Sequence, residues 1–303
     1  MDKLLNLFSE NLLPIFLTAG AGYLVQKNLD IDPKSISRVI FYLFSPALIF
    51  TLLTENQVDS ENSLKIIGYA LSATILYGLI GWVASRILKF DRKLTVAVMI
   101  TVMFTNAGNF GLSLNGFAFG EEALSFASLY FIMSAIMIYT FGIALASMGK
   151  MSFVESLKRL FTYPTIYAVG LALLFNNMDW VLPVPVSRSV GLLSDAAIPA
   201  MLVLLGMQLS SVDLKADVLA LGTANLIRLA VAPLLAIALA LLFKLDGAAY
   251  QASVIEASMP TAVMTTVLAT EFNVRPRFVT SVVTLTTILS PLMLTPLISF
   301  LGE

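Results

Sequence analysis

The chain has 303 residues, 58% of them hydrophobic and only 12% charged, with a net charge of −1. A soluble domain carries roughly 25% charged residues, so about half the expected charge is missing and the bilayer is the solvent. Neither cysteine nor histidine occurs. Their absence excludes disulfides, thiolate chemistry, the usual transition-metal sites and every Ser–His or Cys–His catalytic set.

A spanning helix takes ~20 apolar residues, so this length holds about ten and no separate soluble domain. Spans are predicted near 11–27, 36–53, 64–88, 94–119, 122–148, 160–178, 193–212, 216–243, 248–271 and 277–301. The small residues Thr18–Gly22 look like a signal-peptide cleavage region. The preceding stretch carries Asp2, Lys3 and Glu10 and is not a positive one, so it reads as the first span.

Orientation follows from the basic residues. Thirteen of the 18 Lys and Arg lie in alternate connections, from Lys27, Lys34 and Arg38 through to Arg275 and Arg277. Only Lys3, Lys65, Arg188 and Lys244 lie in the others, and Arg228 falls inside the eighth span. That bias puts both termini outside the cell and the chain in the plasma (inner) membrane. A net charge near zero, without like-charged blocks, offers nothing to nucleic acid.

An internal repeat runs through the chain. Pro14…Gly20 in the first span matches Pro164…Gly170 in the sixth, and Ser45-Pro46-Ala47-Leu48 matches Ile198-Pro199-Ala200-Met201-Leu202. Lys89-Phe90-Asp91 closes the third span as Lys244-Leu245-Asp246 closes the eighth. Five spans is an odd number, so residues 1–150 and 151–303 are expected as two inverted five-helix repeats of an all-α polytopic membrane protein. Such repeats are a recurrent plan of secondary transporters, with binding at the midplane between the copies.

The fourth and ninth spans are expected to be broken and crossed. Asn106-Ala107-Gly108-Asn109-Phe110-Gly111 interrupts one with poor helix formers, and Pro260 interrupts the other within Glu256-Ala257-Ser258-Met259-Pro260-Thr261. Irregular backbone at this depth survives only inside protein or around a cavity. The halves beginning after Asn109 and Pro260 would aim positive dipole ends at one point, a favourable place for a carboxylate. Candidate substrate residues are Asn106, Gly108, Asn109, Gly111, Pro260, Thr261 and Arg228. Freed carbonyls, the Asn side chains, Ser258, Thr261 and Thr265 offer oxygen to a cation or a proton network.

Only Arg228 and Glu256 are charged deep within spans, and such residues are functional candidates by default. They either pair, fixing two helices, or divide the work, with Arg228 attracting an anionic substrate and Glu256 coupling its movement. Asn225, one turn before Arg228, joins the ion-coupling set of Glu256, Ser258 and Thr265, and Gln208 is a weaker candidate. No nucleophile–base pair is available, so an enzyme is not expected, and neither is a cofactor beyond Na+ or H+ as coupling ion. An uncoupled facilitator or channel, or an acid-sensing receptor, is the alternative function.

Phe44-Ser45-Pro46-Ala47-Leu48 and Asn106-Ala107-Gly108-Asn109-Phe110-Gly111, on ten spans, resemble the auxin efflux carrier family in its shorter bacterial form. The chain differs from plant members in its short Lys150–Arg159 connection and in Asn109, where they often have proline. The resemblance implies a scaffold of spans 1, 2, 6 and 7 and a transport unit of spans 3–5 and 8–10. It also implies elevator-like movement of auxin-like acids, malate or another organic anion, and a homodimer formed through spans 2 and 7. The fold looks like that of bile-acid/sodium symporters, whose ninth-span glutamate helps hold sodium. Similarity at Glu256 implies Na+ coupling beside H+, with Asn106 and Asn109 as further Na+ ligands.

Overall fold

The computed structural model describes residues 2–29, 31–55, 60–147, 164–209 and 217–302. The Lys150–Arg159 connection and the cation Lys215 lie outside these residues. Those described are all-helical save for one isolated bridge between Thr105 and Thr261. Seven helices among them are long and apolar enough to cross a membrane: Lys3–Leu29, Pro33–Glu55, Glu61–Ile87, Ala107–Ala146, Val184–Leu209, Val218–Leu242 and Pro276–Leu301. The chain is a polytopic membrane protein.

In chain order the helices are α1 (2–29), α2 (33–55), α3 (Ser60–Ile87), α4 (Arg92–Met103), α5 (107–119) and α6 (121–146). They continue as α7 (Pro164–Asn177), α8 (Val184–Leu209), α9 (Val218–Leu242), α10 (Gly247–Ser258), α11 (Met264–Glu271) and α12 (Pro276–Leu301). Gly120, at φ 80°, makes the turn from α5 to α6, a left-handed conformation suited to glycine. Helix starts follow local chemistry. Asp32, Asp91 and Asp217 each accept a hydrogen bond from a first-turn N–H of α2, α4 and α9, satisfying donors that the helix cannot.

The seventh predicted span, helix α8, begins at Val184, well before the predicted 193, and bends at Ala196. Pro185 in its first turn and Pro183 just outside it preset the helical entry. The polar residues Ser187, Arg188 and Ser189 had hidden that segment from hydropathy alone.

Helix α1 lies along α8, and α2 packs on α7 and on the first half of α8. A second group joins α3 to α4, α5 and α6, with α9 on α10 and α12 on α4 and α9. The α1–α8 contact is backbone against backbone. A Cβ on Gly206 would fall on the Ala19 carbonyl, and one on Gly22 on the Val203 carbonyl. Small residues at a membrane helix contact allow such an approach. Gly206→Val is therefore expected to lower the melting temperature in detergent and the monodisperse yield, by about 1–3 kcal/mol of overpacking. An unchanged melt would refute the close contact.

Apolar side chains dominate the outside. Leu17, Leu192, Leu241, Leu242 and Leu292 are all well exposed, Leu292 at 78%, as suits a surface solvated by lipid tails. Helices α3 and α9 end alike. Lys89 and Lys244 both adopt positive φ, and the next residue donates back five positions, Phe90 to Ser85 and Leu245 to Ala240, each at 3.0 Å. This is the pattern of a Schellman cap. On the same side as the α3 cap, Arg275 forms an ion pair with Asp91, tying the start of α12 to the start of α4. The Leu94 N–H first, and Arg275 after it, hold the Asp91 carboxyl below the usual range.

Candidate functional site

Both expected breaks are present, and they meet. Met259 is extended (φ −56°, ψ 151°), as the residue before a proline prefers, and α10 ends there. Phe104 is extended too, at φ −105° and ψ 118°, ending α4. Between the breaks the two strands pair as a short antiparallel bridge. The Asn106 N–H donates to the Pro260 carbonyl at 2.8 Å, and the Ala262 N–H to the Phe104 carbonyl at 2.8 Å. Thr261 adds a hydroxyl bond to the Thr101 carbonyl (2.8 Å) and takes its own N–H to the Thr286 hydroxyl (3.2 Å).

The first break falls at Phe104–Asn106, not after Asn109. Asn109 lies in the wide π turn Ala107–Leu112 that opens α5. Bridging to Pro260 and Ala262 satisfies backbone groups at the earlier position, and the Asn/Gly run then supplies an unusually wound start to the second half.

Arg228 is fully buried, and its guanidinium is occupied by backbone. It donates to the carbonyls of Val102 (2.9 Å), Ala257 (2.5 Å) and Met259 (3.1 and 2.8 Å). The Tyr77 ring stacks at 5.0 Å. These carbonyls end α4 and α10, where the helix dipole is negative and the last acceptors lack helical partners. Arg228 thus caps two helices at once. It makes no ion pair with Glu256 among the described residues.

Glu256 is also fully buried, on another side of the crossing. Its Oε1 accepts from the Asn115 amide at 3.0 Å, and Oε2 has no hydrogen-bond partner. Gly111 makes room for the carboxylate, since a Cβ there would overlap both oxygens. The Ser253 and Ser258 hydroxyls of the same helix and Oδ1 of Asn115 are buried and unpartnered as well. Oε2 of Glu256 and Oδ1 of Asn115, with the Ser253 hydroxyl one turn back on the same helix, suit a proton or a small cation.

A cavity of about 80 Å³ opens at the crossing. Asn106, Ala107, Gly108 and Asn109 line it from the start of α5, and Ala262, Val263 and Met264 from the start of α11. Phe131, Ser134 and Ile138 of α6, with Phe41 of α2 and Ile166 of α7, complete much of the wall. Asn106 is 4% exposed, and its Nδ2 donor has no partner. A Cβ on Gly108 would stand 2.7 Å from the Phe131 ring, so glycine keeps the α5 start against the wall.

Residues 7–298 match a family described as "Membrane transport protein". The chain belongs to that family. Its members named here are transporters, not enzymes. An "Uncharacterized transporter" of Methanothermobacter thermautotrophicus is 28% identical over 93% of this chain and 94% of its own. The "Putative malonate transporter" of Rhizobium meliloti is 27% identical over 94% and 93%. "Auxin efflux carrier component 8" of Arabidopsis thaliana is 27% identical over 40% of this chain and 33% of its own. The resemblance carried by Phe44–Leu48 and Asn106–Gly111 holds.

Of the residues singled out in the sequence of this transporter, the structure brings Asn106, Gly108 and Asn109 to the cavity wall. Pro260 and Thr261 form the bridge instead, and Gly111 faces Glu256. Ser258 is buried on α10, while the Thr265 hydroxyl bonds the Ala262 carbonyl at 2.7 Å. Asn225 stays on α9, donating to the Leu221 carbonyl at 2.8 Å. Sequence reasoning missed Asn115, Thr105 and Tyr77. Asn115 had a signal, since it lies four residues after Gly111 and so on the same helix face.

Proposed function

We propose that this transporter is a secondary carrier of small organic anions, with the substrate in the cavity at the crossing. The carrying observation is the unpartnered Asn106 amide, buried where α5 and α11 both begin. The dipoles of two helix N-termini favour negative charge there. Carboxylates are the natural class, in keeping with the malonate and auxin named for two relatives.

The matching caps at Lys89 and Lys244 and the paired breaks support ten spans in two inverted repeats, 1–150 and 151–303. The packing of α1 and α2 with α7 and α8 supports a scaffold of spans 1, 2, 6 and 7, past which the remaining unit moves in elevator fashion. The protein is a homodimer of the inner membrane with both termini outside. Glu256, with Asn115 against it and Ser253 one turn away, carries the coupling proton or Na+.

Reconstitution in proteoliposomes tests this reading. Uptake of a labelled carboxylate by the unmodified protein should saturate, and Asn109→Ala should reduce it by about ten-fold or more while the melting temperature holds, a loss of ~1.4 kcal/mol of interaction or more. Undiminished uptake by the variant would remove the cavity from the transport path. Linear, unsaturable flux would point to a channel.

A further inference from the structure

We infer that the cavity selects monocarboxylates and excludes dicarboxylates, an inference that rests on the reading of the crossing as the anion site. Charge decides it. No Lys, Arg, Asp or Glu is among the cavity's lining residues. The positive potential comes from the starts of α5 and α11, and a helix N-terminus is equivalent to roughly half a positive charge. Two of them together match about one carboxylate. The N–H groups of Ala107, Gly108 and Asn109 precede the first ladder bonds of α5, those from Phe110 and Gly111 to the Asn106 carbonyl. With the free Asn106 amide they form a donor set for one anionic group.

A second carboxylate has no counterpart. The buried cation Arg228 has its guanidinium committed to the carbonyls of Val102, Ala257 and Met259. The rest of the lining is mostly apolar, with Phe41, Phe131, Ile132, Ile138 and Ile166 beside the neutral Thr105, Ser134, Tyr139 and Thr165. An uncompensated charge against such a wall is strongly disfavoured, whereas a methyl or methylene group fits it.

Butyrate, isobutyrate and malonate are nearly the same size, so charge and not size separates them.

The test is competition for binding of labelled isobutyrate to the purified full-length protein at neutral pH. Unlabelled butyrate should displace the label at least about ten-fold more effectively than malonate. Asn106→Ala should abolish the specific signal. Ser134→Lys, which adds a cation to the wall, should bring malonate up to the level of butyrate.

Malonate competing as well as butyrate in the unmodified protein would overturn the inference and leave the anion site intact. If neither labelled isobutyrate nor labelled malonate binds, the anion site itself fails. The competition on the unmodified protein decides the matter even if Ser134→Lys does not fold.

Discussion

Arg228→Met should leave little folded transporter. The substitution removes every donor that now serves the carbonyls of Val102, Ala257 and Met259, all in a fully buried place. A buried acceptor left without a partner costs ~1–3 kcal/mol, so the three together cost roughly 3–9 kcal/mol. That is comparable to the whole stability of a typical domain, ~5–15 kcal/mol. Relief of the buried charge offsets part of this, but the negative ends of α4 and α10 would then face each other without a cation. Lysine keeps the charge and loses the planar fork, so Arg228→Lys should fold with a lowered melting temperature. Size-exclusion profiles and thermal melts in detergent give the answer. A normally folded Arg228→Met protein that has lost only transport would instead make Arg228 a substrate ligand.

The second large effect is expected at Glu256. Glu256→Gln keeps the shape and an oxygen for the Asn115 amide, which now donates at 3.0 Å, and removes the titratable charge. Uptake should persist down a substrate gradient, while accumulation driven by an imposed Na+ or H+ gradient falls by about ten-fold or more, as expected of an ionisable group on a coupling path. Gly111→Ala approaches the same site from the neighbouring helix. Its methyl group would occupy the space of the carboxylate, so it should uncouple transport without altering the acid. Proteoliposome assays with each gradient imposed separately identify the ion. Gradient-driven accumulation equal to that of the unmodified protein in Glu256→Gln would remove the residue from coupling.

Much of the site was legible because membrane sequences leave few polar residues to choose among. Arg228 and Glu256 stood out as the only charges deep in spans, and Pro260 announced a break through its missing N–H. Their partners were less accessible. Whether Arg228 faces Glu256, a ligand or backbone depends on how α9 is rotated against α4 and α10, which spacing within one helix does not encode. Three backbone carbonyls leave no mark in a sequence at all. The first break was displaced for a related reason. Asn and Gly signal that a helix is weak over Asn106–Gly111, while the pairing with Pro260 and Ala262 decides where it opens. The start of α8 was missed because Arg188 read as loop, although a helix end at the interface tolerates it.

The contact between α1 and α8 has a mechanical consequence. Where side chains separate two helices, rotamer changes let one slide gradually past the other. Ala19 and Gly206, like Gly22 and Val203, meet with no side chain between them. A shift along this seam would drive a carbonyl over a neighbouring turn, and no soft degree of freedom absorbs it. These two helices therefore behave as one stiff beam. Compliance is left to boundaries where Phe41, Phe131, Val263 and Met264 intervene, and the cavity sits on that compliant boundary.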